Sequence, residues 1–150
     1  MKIARGCAVL VFVVAFCTAL TFADTPGHHP GYLHALSNLR HARAHLAQLT
    51  PSEHMDAEQQ HAIDEIDKAI GEIKAASIDD GKNLDDHPPV APSMDRKGRY
   101  RRAVELLQKA DNDLSQQEDN PTVRAFRDRA MHHTEEAQHI VDHLIHQAGY

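Results

Sequence analysis

Asp79-Asp80-Gly81-Lys82-Asn83-Leu84-Asp85-Asp86-His87-Pro88-Pro89-Val90-Ala91-Pro92-Ser93-Met94 is the stretch that decides the fold. Three prolines, a glycine and four aspartates in these 16 residues cannot continue a helix. Fully extended, the segment reaches about 50 Å at roughly 3.3 Å per residue. The periodic stretch before it runs from Pro51 to near Ile78 and would be about 40 Å long as a helix. The connection is therefore long enough to return along the whole bundle, and it allows the helices it joins to be parallel.

The chain on both sides of this segment is helical in pattern. Before it, Met55, Ala62, Ile63, Ile66, Ala69, Ile70 and Ile73 recur at three- and four-residue steps. Thr50-Pro51-Ser52-Glu53 reads as a capping box that starts this helix. After it, Tyr100, Ala103, Val104, Leu107, Ala110 and Leu114 mark a helix from Asp95 to Gln117. An earlier stripe of Tyr32, Ala35, Leu36, Leu39, Ala42, Leu46 and Leu49 gives a first helix entered at Pro30. Asn120-Pro121 starts a fourth, carrying Val123, Phe126, Ala130, Ala137, Ile140, Val141 and Leu144 inward. No strand-like alternation appears. The expected fold is all-α, a four-helix bundle built from two helical hairpins joined by a long Pro-rich loop.

The first 23 residues differ from the rest. Lys2 and Arg5 precede an apolar run from Ala8 to Phe22, and Thr21-Phe22-Ala23 offers small residues where a signal peptidase reads. The run is shorter than the roughly 20 residues of a membrane span. The expectation is a cleaved signal at residues 1–23, a single domain at 24–150, and a periplasmic or secreted address. Cys7 and Cys17 would leave with the signal, so the mature chain would have no disulfide, thiol nucleophile or cysteine metal site. It would hold 14 basic and 22 acidic residues, a net charge of −8 with histidine neutral. That balance argues against nucleic acid as a partner. All 13 histidines lie in this part, and protonating them all would carry the charge to +5.

The strings Tyr32-Leu33-His34-Ala35-Leu36-Ser37-Asn38-Leu39-Arg40, Ala62-Ile63-Asp64-Glu65-Ile66-Asp67-Lys68-Ala69-Ile70 and Asp79-Asp80-Gly81-Lys82 resemble a family of small exported bacterial helical-bundle proteins of unassigned function. The resemblance spans most of the mature chain. It implies a four-helix bundle and carries over no catalytic residue.

The histidines are patterned. At 100° per residue, His34, His41 and His45 fall within about 40° on the first helix, and His132, His139, His143 and His146 within about 60° on the fourth. Both stripes lie away from the apolar arcs, so they are expected at the surface or along a bundle edge. His41/His45 and His139/His143 are i, i+4 pairs, a spacing that lets two imidazoles reach one ion. If the first and fourth helices are neighbours, the two pairs supply four imidazoles to one Zn²⁺, Cu²⁺ or Ni²⁺ ion. Otherwise each is a weak two-ligand site or a solvated surface.

Glu58-x-x-His61 and Glu136-x-x-His139 superficially match the motifs of di-iron bundles. The first helix holds no Asp or Glu, however, and both motifs lie off the apolar arcs. His133 falls among Ala130, Ala137 and Ile140 and should face the core beside a satisfying neighbour. Arg40 and Arg43 flank the first apolar stripe and can pair with acids such as Asp67. Gly81 reads as a helix C-cap. Phosphate-loop and nucleophilic-triad motifs are absent.

These features point to a non-enzymatic exported helical binding protein of unknown ligand, without a bound cofactor, acting as a monomer or dimer. Two alternatives are a weak transition-metal buffer or sensor at the histidine stripes and an acid-responsive, chaperone-like binder. Leu49-Thr50-Pro51 is similar to a string in helical periplasmic stress chaperones.

Overall fold

A computed structural model describes residues 31–76 and 81–147. The expected signal, both cysteines, Pro30, Asp79 and Asp80 lie outside the described residues. Four helices are present: α1 (Gly31–Ala47), α2 (Ala57–Ala75), α3 (Arg96–Leu114) and α4 (Pro121–Gln147). Among the described residues there is no strand, and the all-α four-helix bundle expected from the sequence is the observed fold.

The start of α4 agrees with its capping signal, that of α2 does not, and α3 carries a cap that the sequence reading did not name. Asp95 is extended at the head of α3 and accepts from Gly98 N at 2.7 Å. Asn120 accepts from Thr122 N at 3.0 Å, with Pro121 in the first turn of α4. At Thr50–Glu53 only the glutamate half of the box forms, and it closes a turn instead of starting α2. Glu53 Oε2 accepts from Thr50 N at 2.7 Å, and Glu53 N donates to Thr50 O at 3.0 Å. The helix begins at Ala57, where Asp56 is the N-cap and accepts from Gln59 N at 2.6 Å. Met55 accordingly packs on the core from the approach to α2, not from within it. At the other end α2 stops at its C-cap Ala76, and Gly81, with φ of 70°, serves a left-handed turn further along.

Cross-helix contacts give the topology. The C-terminal end of α1 meets the start of α2, where Gln59 Nε2 donates to Leu46 O. The start of α3 also lies there, since Arg96 pairs with Asp56 at 3.1 Å and Tyr100 Oη donates to Gln59 Oε1 at 2.9 Å. Helices α2 and α3 are therefore parallel. The crossover between them runs back along the bundle, across roughly the 28 Å length of a 19-residue helix. Arg129–Glu72 and His133–Glu65 pairs set α4 antiparallel to α2. The adjacent pairs are α1–α2, α1–α3, α2–α4 and α3–α4, which leaves α1 and α4 on a diagonal.

The broadest packing faces are α2–α4 and α1–α3, between the hairpins, not within them. Ile63, Ile66, Ile70 and Ile73 of α2 and Leu36, Leu39 and Leu46 of α1 are all within the buried core. Each such side chain contributes about 1.5–3 kcal/mol by leaving water. One end of the bundle holds a buried polar tie: Tyr32 Oη donates to Glu118 Oε2 at 2.6 Å, and Glu118 Oε1 accepts from Asn120 N at 2.9 Å. Burial, then the Glu118 carboxylate, pushes the Tyr32 phenol up from its ordinary value.

Candidate functional site

The crossover lies against α1. Arg40, buried on α1, donates from Nε to Asp86 O at 3.2 Å. At the next residue, the His87 ring lies parallel to that of His41, with centroids 6.4 Å apart and planes 6° apart. Leu84 packs on the core from the same segment. His41 is thereby half-buried. Its i+4 neighbour His45 is 3% exposed, as buried as the core leucines. The wheel placed both imidazoles at the surface because it allowed α1 a single apolar arc. In the bundle α1 is walled by α2, by α3 and by the crossover.

His45 Nε2 and His41 Nε2 are 3.2 Å apart, so one ring donates its hydrogen to the other. His45 Nδ1 is buried and has no hydrogen-bond partner. Charging His45 would place hydrogens on both its nitrogens, and the Nδ1 hydrogen would have no acceptor. The surroundings oppose that charge as well. Burial, then His41, Arg102 and Arg99, hold the His45 pKa down to about 4. Burial, then Arg102 and His87, also lower that of His41. Arg99 is itself fixed: it is 1% exposed, donates from Nη1 to Met94 O at 2.8 Å, and pairs through Nη2 with Glu53 at 2.6 Å. The Arg99 hydrogen bond, then that from Thr50 N, draws the Glu53 carboxyl down to about 2. The site is thus an imidazole pair whose charged form is opposed first by burial and then by neighbouring fixed cations.

His139 and His143, on α4, are exposed and do not join this pair. His143 Nδ1 lies 3.2 Å from Glu58 Oε2 of α2, with Gln147 alongside. The set of four imidazoles on one ion is not assembled, because α1 and α4 are diagonal and make no helix-to-helix contact among the described residues. Nor do three or more His, Cys, Asp or Glu side chains gather closely enough to hold an ion among the described residues. Glu58 and His61 point outward on α2, and Glu136 and His139 on α4.

His133 faces inward as expected and meets Glu65 at 2.6 Å. Glu65 is a buried residue of α2. Burial raises its pKa, but the Lys68 and His133 hydrogen bonds outweigh that and the net shift is downward. Arg43 pairs with Asp67 at 2.7 Å, as the sequence indicates. Sequence reasoning missed the burial of His45, Arg40 and Arg99 and the arrival of His87. The one available signal was the length of residues 79–94, which brings a histidine alongside another helix.

No family model matches the chain, and no curated protein or solved structure matches it either. No helix among the described residues is long and apolar enough to cross a membrane.

Proposed function

We propose that the chain is an exported, non-enzymatic helical binding protein whose binding surface responds to mild acid. The observation that carries this reading is the unpartnered, buried Nδ1 of His45 beside Arg99 and Arg102. A bundle that seals an ionisable group without an acceptor works against itself as pH falls. The proton can enter only if the packing around the ring loosens, and loosened packing uncovers apolar surface. Export rests on the pattern of residues 1–23, and intact mass of the exported protein beginning near Asp24 checks it. The acid response is tested by titrating the purified protein with an apolar fluorescent dye from pH 7.5 to 4.5 while following far-UV circular dichroism. Dye binding is expected to rise below pH 6.5 with the helical signal retained. A rise that comes only when the helical signal collapses would refute this reading.

A second reading, a weak Zn²⁺, Cu²⁺ or Ni²⁺ half-site, draws on the same pair. Two imidazole nitrogens on a tetrahedral ion at about 2.0–2.1 Å stand roughly 3.3–3.4 Å apart, close to the 3.2 Å between His41 and His45 Nε2. Arg99 and Arg102 repel a dication as they repel a proton, so the affinity is expected to be low. Calorimetry with Zn²⁺ and Cu²⁺ at pH 7.5, on the parent and on His41→Ala/His45→Ala, decides it. Equal heats from both proteins would remove the pair as ligands.

A further inference from the structure

We infer that residues 81–94 are a strap that acid releases from α1, with His41, His45 and His87 as its latch. This rests on the acid-responsive reading above and names the element that moves.

The walls around His45 are held with unequal strength. On one side α3 presents Arg99 and Arg102, and α3 is anchored by Tyr100, Ala103, Val104, Leu106 and Leu107 in the core. Arg99 is further tied to Glu53 in the turn before α2. At the α2 side the chain is closed by Gln59 on Leu46 O and by Arg43 on Asp67. The remaining wall is the strap. Lys82, Asn83, Asp85, Asp86, Pro88 and Pro89 are all exposed, and the three prolines offer no N–H with which to bind the bundle. Its ties include Lys74 to Lys82 O and Arg99 to Met94 O towards its two ends and, beside the latch, Arg40 to Asp86 O, Leu84 on the core and the His87 ring on His41.

Acid acts on that last tie. The His87 ring lies parallel to that of His41 and donates from Nδ1 to Pro88 O at 2.8 Å, while His41 and His45 bond through Nε2 with their rings tilted by 36°. A proton on His41 or His45 enters a buried place beside Arg102, with Arg99 adding to the repulsion at His45. The Asp85 and Asp86 carboxylates are exposed and solvated, so what they give back is a screened attraction. Moving the strap lets water reach His41 and His45 and supplies the acceptor that Nδ1 lacks. Moving α3 would open the core. The strap is therefore the element that yields, and the four helices stay assembled.

The strap is followed through the Leu84 methyl groups, using the exported protein isotopically labelled at leucine methyls and a soluble neutral gadolinium chelate. Leu84 is identified by the signal lost in Leu84→Ala. At pH 7.5 its methyls are expected to be partly shielded, as befits a side chain packed on the core from outside. Between pH 6.5 and 4.5 their paramagnetic relaxation rises severalfold, while Leu36 and Leu107 remain shielded. His45→Leu, with His45→Gln as a second variant should packing fail, keeps Leu84 shielded at pH 5. His139→Gln/His143→Gln leaves the transition where it was. Leu84 staying shielded at pH 5, or losing shielding together with Leu36 and Leu107, overturns the strap. Dye binding that rises at pH 5 with Leu84 still shielded would retain the acid-responsive reading and place the opening elsewhere.

Discussion

His41/His45 on α1 and His139/His143 on α4 share residue type, i, i+4 spacing and placement opposite an apolar stripe, yet they occupy opposite environments. The α1 pair lies under a crossover segment, between fixed guanidinium groups, and His45 is sealed from water. The α4 pair is exposed, and His143 looks onto a carboxylate. Helical spacing decides which two rings are neighbours. It does not decide what a third segment of chain lays over them. One pair is read as a proton-sensitive element of the packing and the other as polar surface, and the difference comes from a loop about 40 residues away in sequence.

The comparison breaks most directly with a fixed charge. His45→Lys puts a permanent cation beside Arg99 and Arg102 in a sealed position, and should cost about 3 kcal/mol in urea unfolding at pH 7.5. His139→Lys at an exposed site should stay within about 0.5 kcal/mol of the parent. Equal effects of the two substitutions would mean that the α1 pair is no more enclosed than the α4 pair.

Titration sharpens the contrast. The folded pKa of His45 lies below its ordinary value, so below pH 6.5 the unfolded chain binds more protons than the folded one. The stability associated with neutral His45 is complete above pH 6.5 and is lost as pH falls towards 4, up to about 3 kcal/mol in all. Glu53 follows the opposite rule for a depressed carboxyl. Its stabilisation is present above pH 4.5 and lost towards about 2, so the two windows separate. Urea unfolding at pH 7.5, 6.0 and 5.0 should show the first loss alone. His45→Leu should flatten that slope, and His139→Gln/His143→Gln should leave it. An unchanged slope in His45→Leu would assign the acid sensitivity to other groups.

Much of the bundle could be read from residues. The stripes of α1 to α4 as far as Leu46 on α1, the cap at Asn120, the room for parallel α2 and α3, the Arg43–Asp67 pair and the inward His133 were legible, because each depends on local periodicity or on a length, whereas Leu49 was read inward and is exposed beyond the end of α1. The start of α2 was not. Thr50–Glu53 and Asp56–Gln59 are both capping patterns, and the choice between them was made by tertiary contacts, with Glu53 drawn to Arg99 and Asp56 to Arg96. The candidate site was legible only as two pairs. Which faces α1 would bury depends on the order of helices around the square and on the path of the crossover, and neither is encoded in the α1 stripe itself. Buried Glu65 and Arg40 were hidden for the same reason, since a polar side chain inside a bundle is specified by a partner on another element.

The smallest effect lies at the exposed pair. His143 Nδ1 is 3.2 Å from Glu58 Oε2, both side chains are about half exposed, and Gln147 Nε2 sits 3.4 Å from the other oxygen of the same carboxylate. Contacts of this kind contribute about 0.2–0.5 kcal/mol, and loss of the histidine leaves the glutamine beside Glu58. His143→Ala should therefore shift unfolding at pH 6 by no more than that amount. A double-mutant cycle with Glu58→Gln should return a coupling that weakens as salt rises to about 0.5 M, where the Debye length falls to about 4 Å. The His45 contribution comes from sealed groups and should persist at the same salt. A His143–Glu58 coupling above 1 kcal/mol, or one indifferent to salt, would show that the α4 pair is also part of the packed structure, and the division drawn between the two pairs would fall.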